Sequence, residues 1–489
     1  MAAQRGWVAY GPTSGPASAE VPLRPELADL GRLARRGVRA VVGAARAEER
    51  PSLSRALTDH LGAEASALDV VEETWPGYDH VNVQAGLDAW LGDGRRTWNL
   101  VGVAGFQHVI FGIGDLLSMG AGLHDPHGLR PGNPSSVNLA SGPDGQVRPC
   151  VRCGIYLVSQ GDTRIAILLR GSAPEMGQDM VSVQIVGTDE DAAISAAAAI
   201  RSASLERNVF RRQVLSFGPD VFGHGRSLLQ FHRRPTMSAD QLILPSETLA
   251  EVQRQVVEVA RHKDRLLAAG QHLKRGVLLY GPPGTGKTHT IRFLTSQLVG
   301  TTVLELTGNA MHLIAEACSV ARALQPAMLV IEDVDLIADD RGMHPGQHPL
   351  LFQLLNEMDG LAEDADVVFV LTTNRADLLE PALAARPGRV DQAVAMGLPD
   401  AGARRALFEL YRGELSVDTS GLDDVIARTD GVTASFLKEL LRRAALLAAS
   451  RTAGDPDLTV SATDLTAALD ELLDTRNAMT RTLLGSAPS

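Results

Sequence analysis

The sequence predicts a parallel α/β sheet built around a phosphate-binding turn, followed by an all-α region and preceded by an α+β domain. Three observations carry this. Residues 276–288, Gly-Val-Leu-Leu-Tyr-Gly-Pro-Pro-Gly-Thr-Gly-Lys-Thr, run from an apolar strand into a glycine-rich turn closed by Lys287 and Thr288. Two further apolar runs, Met328–Asp335 and Val367–Asn374, end in polar side chains. Beyond Pro399 come four segments with helical spacing and no strand signal: Ala401–Arg412, Leu422–Ala427, Ala434–Ser450 and Ala462–Leu473.

The α+β region comes first. Pro25–Ala45 and Pro51–Leu61 have leucine at helical spacing, and Val81–Leu91 reads as a helix after the turn Trp75-Pro-Gly-Tyr78. Asp125–Asp144 is rich in Gly, Pro, Ser and Asn and predicts a loop. Apolar runs on either side of Gln160-Gly-Asp-Thr163 predict a hairpin, Met180–Val186 a further strand, and Asp189–Arg207 an alanine-rich helix. The expected division is an α+β domain over 1–215, a linker over 216–245, a nucleotide-binding α/β domain over 246–398, a helical lid over 399–475 and a tail over 476–489. In the linker, His232-Arg-Arg234 reads as a solvated cluster of charge.

Composition narrows the function. With 489 residues and 45% hydrophobic content the chain can build more than one core. A net charge of −12 argues against nucleic acid as the main partner, because neutralising phosphates needs a basic face. Only four lysines occur, Lys263, Lys274, Lys287 and Lys438. Three cysteines suit a reduced compartment rather than a disulfide framework. Cys150 and Cys153 form a C-x-x-C on a strand-like stretch, so ordinary buried thiols are expected over a metal or redox pair. His108, His124 and His127 are read as structural, and Trp7, Trp75, Trp90 and Trp98 mainly as core. Residues 1–22 lack an apolar signal core, and Leu100–Leu117, interrupted by Gln107, His108 and Asp115, reads as a buried segment. The expectation is a soluble, cytoplasmic protein with no membrane partner.

The chemistry sits in the turn and at the strand tips. In G-x-x-x-x-G-K-T, residues Gly281, Pro282, Pro283, Gly284, Thr285 and Gly286 let backbone N–H groups and a helix N-terminus face an anion. Lys287 then reaches the β and γ phosphates and the Thr288 hydroxyl a Mg²⁺ ion. In an α/β sheet the strands' carboxyl ends gather at the ligand crevice, so Glu332, Asp333 and Asn374 converge there. By order, Glu332 takes the metal role and Asp333 the base that activates water, with Asn374 positioning that water.

With these motifs in place, residues from about 242 to 432 resemble the AAA branch of the AAA+ ATPases. Gly281–Thr288 matches Walker A, Leu329–Asp333 Walker B, Leu371–Asn374 sensor 1, and Ala385-Arg-Pro-Gly-Arg-Val-Asp391 the arginine-finger segment. The resemblance implies a P-loop NTPase sheet with an all-α lid, ATP and Mg²⁺ as ligands, and a homo-oligomeric ring, usually a hexamer. In such a ring Arg386 and Arg389 reach the neighbouring subunit's nucleotide. Gly431-Val-Thr-Ala434 resembles the second-sensor segment, with alanine at the position of an arginine. The Glu332–Asp333 order, Asn356 and Val390 are similar to the branch of the mitochondrial translocase of the folded Rieske protein.

Where threading members carry an aromatic pore loop, Thr307–Pro326 contains no Phe, Tyr or Trp, and Met311 and His312 are the nearest substitutes for a grip. Three functions follow: a protein-remodelling ATPase whose residues 1–215 recruit a client or adaptor, a nucleotide-switched scaffold with slow turnover, and, disfavoured by charge, a nucleic-acid motor. No H-E-x-x-H occurs, so an intrinsic zinc protease is not expected.

Overall fold

The computed structural model describes residues 52–62, 65–118, 129–173, 177–219, 227–335, 349–377, 390–451 and 458–474. Helix Pro25–Ala45, Trp7, His124, His127, Arg386, Arg389 and the tail lie outside them.

The N-terminal half is an antiparallel sheet sandwiched between helices. Its strands are β1 (Val71–Pro76), β2 (Thr97–Ala104), β3 (Arg130–Gly132), β4 (Ser135–Ala140), β5 (Val147–Gln160), β6 (Thr163–Arg170) and β7 (Met180–Gly187). They lie in the order β1-β7-β6-β5-β2-β3, with β4 also on β5. Side chains alternate across the sheet, as the strand period of two requires. Tyr156, Ile167 and Leu169 face one core with Trp75 and Trp90, whereas Ile155, Ala166 and Leu168 face the other. Helices α1 (Leu53–Leu61) and α3 (Ile113–Ser118) cover the second face, α2 (His80–Leu91) and α4 (Glu190–Glu206) the first. Leu100–Leu117 is strand, turn and helix within this fold. Among the described residues no helix is long and apolar enough to cross a membrane.

Two local expectations change here. The stretch read as a loop over 125–144 contains β3 and β4, because Arg130–Gly132 finds partners in Gly102–Ala104 and Ser135–Ala140 finds them on β5. Pairing with distant strands overrides turn-rich composition. Cys150 and Cys153, three apart on β5, are buried in separate cores, and burial pushes their thiols up to about 11 and about 12. Both remain protonated and inert near neutral pH.

The second sheet holds β8 (Val214–Pro219), β9 (Ser227–His232), β10 (Arg275–Tyr280), β11 (Thr302–Leu306), β12 (Ala327–Ile331), β13 (Val367–Thr373) and β14 (Gln392–Ala395), in the order β14-β10-β13-β12-β11-β8-β9. Every pair is parallel except β8 with β9. Met328–Ile331 and Val367–Leu371 are apolar at successive positions because both faces are covered. Helices α5 (Ser246–Gln253) and α6 (Lys287–Gln297) contribute Val252, Ile291 and Phe293 to one side, and α7 (Ile314–Ala323) and α8 (Pro349–Asp359) contribute Ile314 and Leu354 to the other.

The boundary at 215 and the linker over 216–245 are therefore corrected. Val214–Ser216 pairs with Val303–Glu305 and β9 closes the edge, so the sheet extends through the expected linker. The open edge of β11 supplies unpaired donors and acceptors that a new strand satisfies. Phe217 on β8 and Phe231 on β9 join Phe210 in an aromatic cluster, and Tyr78 of the first half packs edge-on against Phe210 and Phe217 at 6.4 and 6.5 Å. Nor is the basic run a simple solvated cluster. Arg234 donates to the carbonyls of Thr295, Leu298, Thr301 and Arg212 at 2.7–3.1 Å, closing the C-terminal end of α6.

Met311 also departs from its expected role. It lies in a 3-10 turn over Gly308–Leu313 and is 5% exposed, packed in the core with Ile314 and Leu306. A buried thioether anchors this turn and cannot grip a substrate chain; His312 is exposed.

The C-terminal region contains α9 (Ala401–Arg412), α10 (Leu422–Arg428), α11 (Ala434–Arg451) and α12 (Ala462–Leu473) around Phe408, Phe436, Leu440 and Leu469. It is not wholly helical: β15 (Ser416–Val417) and β16 (Thr459–Val460) form a short parallel pair. Asp400 caps α9 by accepting from Ala403 N–H, and Ser461 with Asp464 forms a capping box on α12.

Candidate functional site

Strand β10 ends at Tyr280 and the chain turns through 281–286 into α6. Gly281 has φ 151°, and a Cβ on it would collide with the Met396 carbonyl oxygen at the end of β14. Gly286 caps α6 at φ 102°, a left-handed conformation that leaves the first helical N–H groups facing the turn. Local chain chemistry thus builds the anion cradle.

Lys287, the first residue of α6, is 8% exposed. Its Nζ donates to the carbonyls of Gly281 (2.8 Å) and Pro282 (2.9 Å) and to Asn374 Oδ1 (2.8 Å). Burial lowers its pKa, opposed by the charges of Asp333 and Asp335. Asn374, just past β13, donates through Nδ2 to Asp333 Oδ1 at 3.1 Å, so one amide links the lysine to the carboxylate. Separately, the Thr288 hydroxyl donates to Glu332 Oε2 at 2.8 Å. The adjacent acids therefore face different partners, Glu332 the Walker A threonine and Asp333 the sensor asparagine.

The backbone produces that divergence. Asp333 sits at φ 53°, in the left-handed region, and its N–H donates to Thr372 Oγ1 at 3.0 Å. Asp335 accepts from Thr373 Oγ1 (2.9 Å) and from Asn374 N–H (3.3 Å), pinning the end of β13. On β11, the Glu305 carboxyl is pushed up by burial and by the charge of Glu332.

A cleft of about 460 Å³ opens between the parallel sheet and the C-terminal helices. The amide of Ser435, at the start of α11, donates to Gly284 O at 3.4 Å. Lys287, Thr288, Glu332, Asp333 and Asn374 meet in the cleft, and Pro283, Gly284 and Gly286 form part of its wall. Gly281, Pro282 and Thr285 shape the turn, Thr285 donating its hydroxyl to Pro282 O at 2.9 Å. Sequence reasoning missed His289, Arg292, Thr372, Tyr411, Ser435 and Lys438 as cleft residues. The i, i+4 spacing of Ala434 and Lys438 was the one available signal, since it places both on one helical face.

Comparison with known proteins agrees with this geometry. Residues 277–398 match the AAA family, the ATPase family associated with various cellular activities. The AAA resemblance of the sequence is borne out over that region, and the parallel strands within it fit a P-loop AAA+ fold. The chain is also 38% identical over 240 residues to the ATP-dependent zinc metalloprotease FtsH 2 of Sphaerobacter thermophilus, covering 47% of this chain and 36% of the relative. FtsH 1 of the same organism is 31% identical over 266 residues, 52% of this chain and 40% of the relative. FtsH of Mycobacterium leprae is 32% identical over 275 residues, 52% and 33% respectively. The chain thus spans between a third and two fifths of the length of these curated relatives.

Proposed function

We propose that the chain is an ATP-binding and hydrolysing AAA+ protein that works as a protein-remodelling ring ATPase. The carrying observation is the pair of contacts Thr288–Glu332 and Lys287–Asn374–Asp333 across one cleft. Thr288 and Glu332 offer hard oxygen donors within 2.8 Å of each other, a set that suits Mg²⁺, and these residues would hold it. An ion held there would supply positive charge to offset that of the phosphates. Lys287 and the N–H groups of the turn bind the polyphosphate, Asp333 accepts a proton from the attacking water, and Asn374 orients Asp333.

Arg386 and Arg389 act on the nucleotide of the neighbouring subunit in a homo-oligomeric ring, taken as a hexamer. The N-terminal half recruits a client or adaptor. The Glu-Asp order supports the finer likeness to the Rieske-protein translocase type, and the aromatic-free, core-anchored turn at Gly308–Leu313 favours action on folded clients over threading. The protease activity in the relatives' names is not carried over, since H-E-x-x-H is absent from this sequence.

Two variants test the assignment. Lys287→Ala should abolish ATP binding in a filter or fluorescence assay. Asp333→Asn should bind ATP normally and lose turnover by roughly 10²-fold or more, the scale of a general base. Steady-state hydrolysis at the wild-type rate by Asp333→Asn would transfer the base role to Glu332.

A further inference from the structure

Burial continues past the point where β13 stops being apolar. Val367–Leu371 is apolar at every position, yet the next two residues, Thr372 and Thr373, are 2% and 0% exposed. A hydroxyl is kept in a buried position where it has a partner, and the partners of both lie in the chain just beyond β12. Thr372 Oγ1 accepts the Asp333 N–H at 3.0 Å, and the Thr372 carbonyl accepts the Val334 N–H at 2.9 Å. Thr373 Oγ1 donates to Asp335 Oδ1 at 2.9 Å. Among the described residues, two other than glycine have positive φ, Asp333 at 53° and Arg212 at 60°. Each donates its N–H to a threonine hydroxyl, Arg212 to Thr302 Oγ1 at 2.9 Å. Both of these costly backbone turns are fastened in the same way, and the one at Asp333 stands in the cleft.

Resting on the base role given to Asp333 above, we infer that Thr372 is a positioning residue for hydrolysis: its hydroxyl holds the Asp333 backbone in the left-handed region and thereby keeps that carboxylate on Asn374. A residue with a Cβ pays a steric cost at φ 53°, and the hydrogen bond to Thr372 offsets part of it. Without the acceptor, the backbone relaxes toward ordinary strand geometry. Such a rotation carries the carboxylate off Asn374 Nδ2, which lies 3.1 Å from Asp333 Oδ1, and breaks the link that runs on to Lys287. Glu332 is spared, since it precedes the turn and meets Thr288. Thr372 neither gives nor takes a proton in the reaction; it acts through Asp333. Its loss therefore falls on the chemical step rather than on nucleotide binding.

Phosphate release from ATP with Mg²⁺, measured on the full chain, supplies the test. Thr372→Val keeps the branched shape and removes the acceptor. It should lower kcat roughly 10- to 100-fold, the scale of a slightly misplaced reacting group, and leave KM for ATP unchanged. Thr372→Ser keeps the hydroxyl and should restore most of the rate; Thr372→Ala, which also lacks the acceptor, carries the expectation of the valine variant if that one does not fold. Added to Asp333→Asn, Thr372→Val should cost little further rate, because both act through one carboxylate. Thr302→Val, which removes the matching bond at Arg212, should lower the melting temperature and leave kcat as in the wild type. A wild-type kcat in Thr372→Val, beside an inactive Asp333→Asn, would overturn the inference and leave the base role standing. So would equal losses of kcat in Thr372→Val and Thr302→Val, or a serine variant as slow as the valine one. Full activity in Asp333→Asn would overturn the base role and the inference with it.

Discussion

At the scale of single residues, the two acids after β12 behave as separate groups because the backbone turns between them. Glu332 continues the strand direction toward Thr288, whereas Asp333, at φ 53°, swings toward Asn374. Their order in the sequence suggested different roles, and their hydrogen bonds run in matching directions. Met311 shows the opposite outcome. An exposed substrate contact and a buried anchor look alike in one dimension, and only packing separates them. Met311→Ala should therefore destabilise the protein by about 2–5 kcal/mol, the usual cost of emptying a buried methionine site. Urea unfolding measures this. A Met311→Ala protein as stable as wild type would show that the turn does not depend on its anchor.

At the scale of elements, two helices depend on side chains that arrive from elsewhere or from one turn away. Arg234 closes the end of α6, the helix that begins with Lys287, by donating to four backbone carbonyls. Arg234→Met leaves those acceptors without their donor and should cost about 2–4 kcal/mol of stability. Hydrogen exchange should also quicken at the C-terminal turn of α6, and unaltered exchange there would mean solvent replaces the cap without loss.

On α11 the pH dependence has a definite sign. Hydrogen bonds from Arg442, and then from Arg443, hold the Glu439 carboxyl down to about 2, against 4.5 for a free glutamate. A depressed carboxylate stabilises the fold above its unfolded pKa and loses that contribution as pH falls through the folded value. Glu439→Gln should melt below wild type at neutral pH, with the gap closing between about pH 4.5 and about pH 2. A gap constant across that window would show the arginines contribute nothing through charge. Because the group is largely at the surface, the effect should shrink in high salt.

At the scale of the whole molecule, the two halves meet through β8, β9 and the cluster of Tyr78, Phe210, Phe217 and Phe231, so the recruiting domain of the proposed function is packed against the catalytic sheet. Removing residues 1–215 would cut β8 after its second residue, so a truncation meant to isolate the ATPase has to begin before Val214. Shared sites in a ring give a sharper prediction. In the proposed ring, Arg389→Ala subunits would keep their own Walker residues and lack the proposed finger, and Asp333→Asn subunits would keep that finger and lack the proposed base. Each should be nearly inactive alone, and mixing them should restore part of the ATPase activity, measured by phosphate release. Mixtures no more active than the separate variants would argue against sites completed by a neighbour.

The amino-acid sequence by itself determined the anion cradle, the strands with acids at their tips and the helices beyond Pro399. Each of these is a local pattern: glycine spacing, an apolar run of strand length, or leucine at helical period. It also placed Lys287, Thr288, Glu332, Asp333 and Asn374 in one crevice, because parallel strands deliver their carboxyl ends to the same edge. The tertiary structure alone decided what depends on distant partners. Val214–Pro219 became a strand because β11 had an open edge, Ser135–Ala140 because β5 ran beside it, and Met311 became core because α7 and β11 closed over it. Lys438 came to the cleft for the same reason. Its own helix is legible from spacing, but which face of that helix meets the sheet is set by the packing of Phe436 and Leu440 against the neighbouring helices. Local free energies of a few tenths of a kcal/mol per residue bias a segment toward a shape; burial of whole side chains, at about 1.5–3 kcal/mol each, decides where that shape goes.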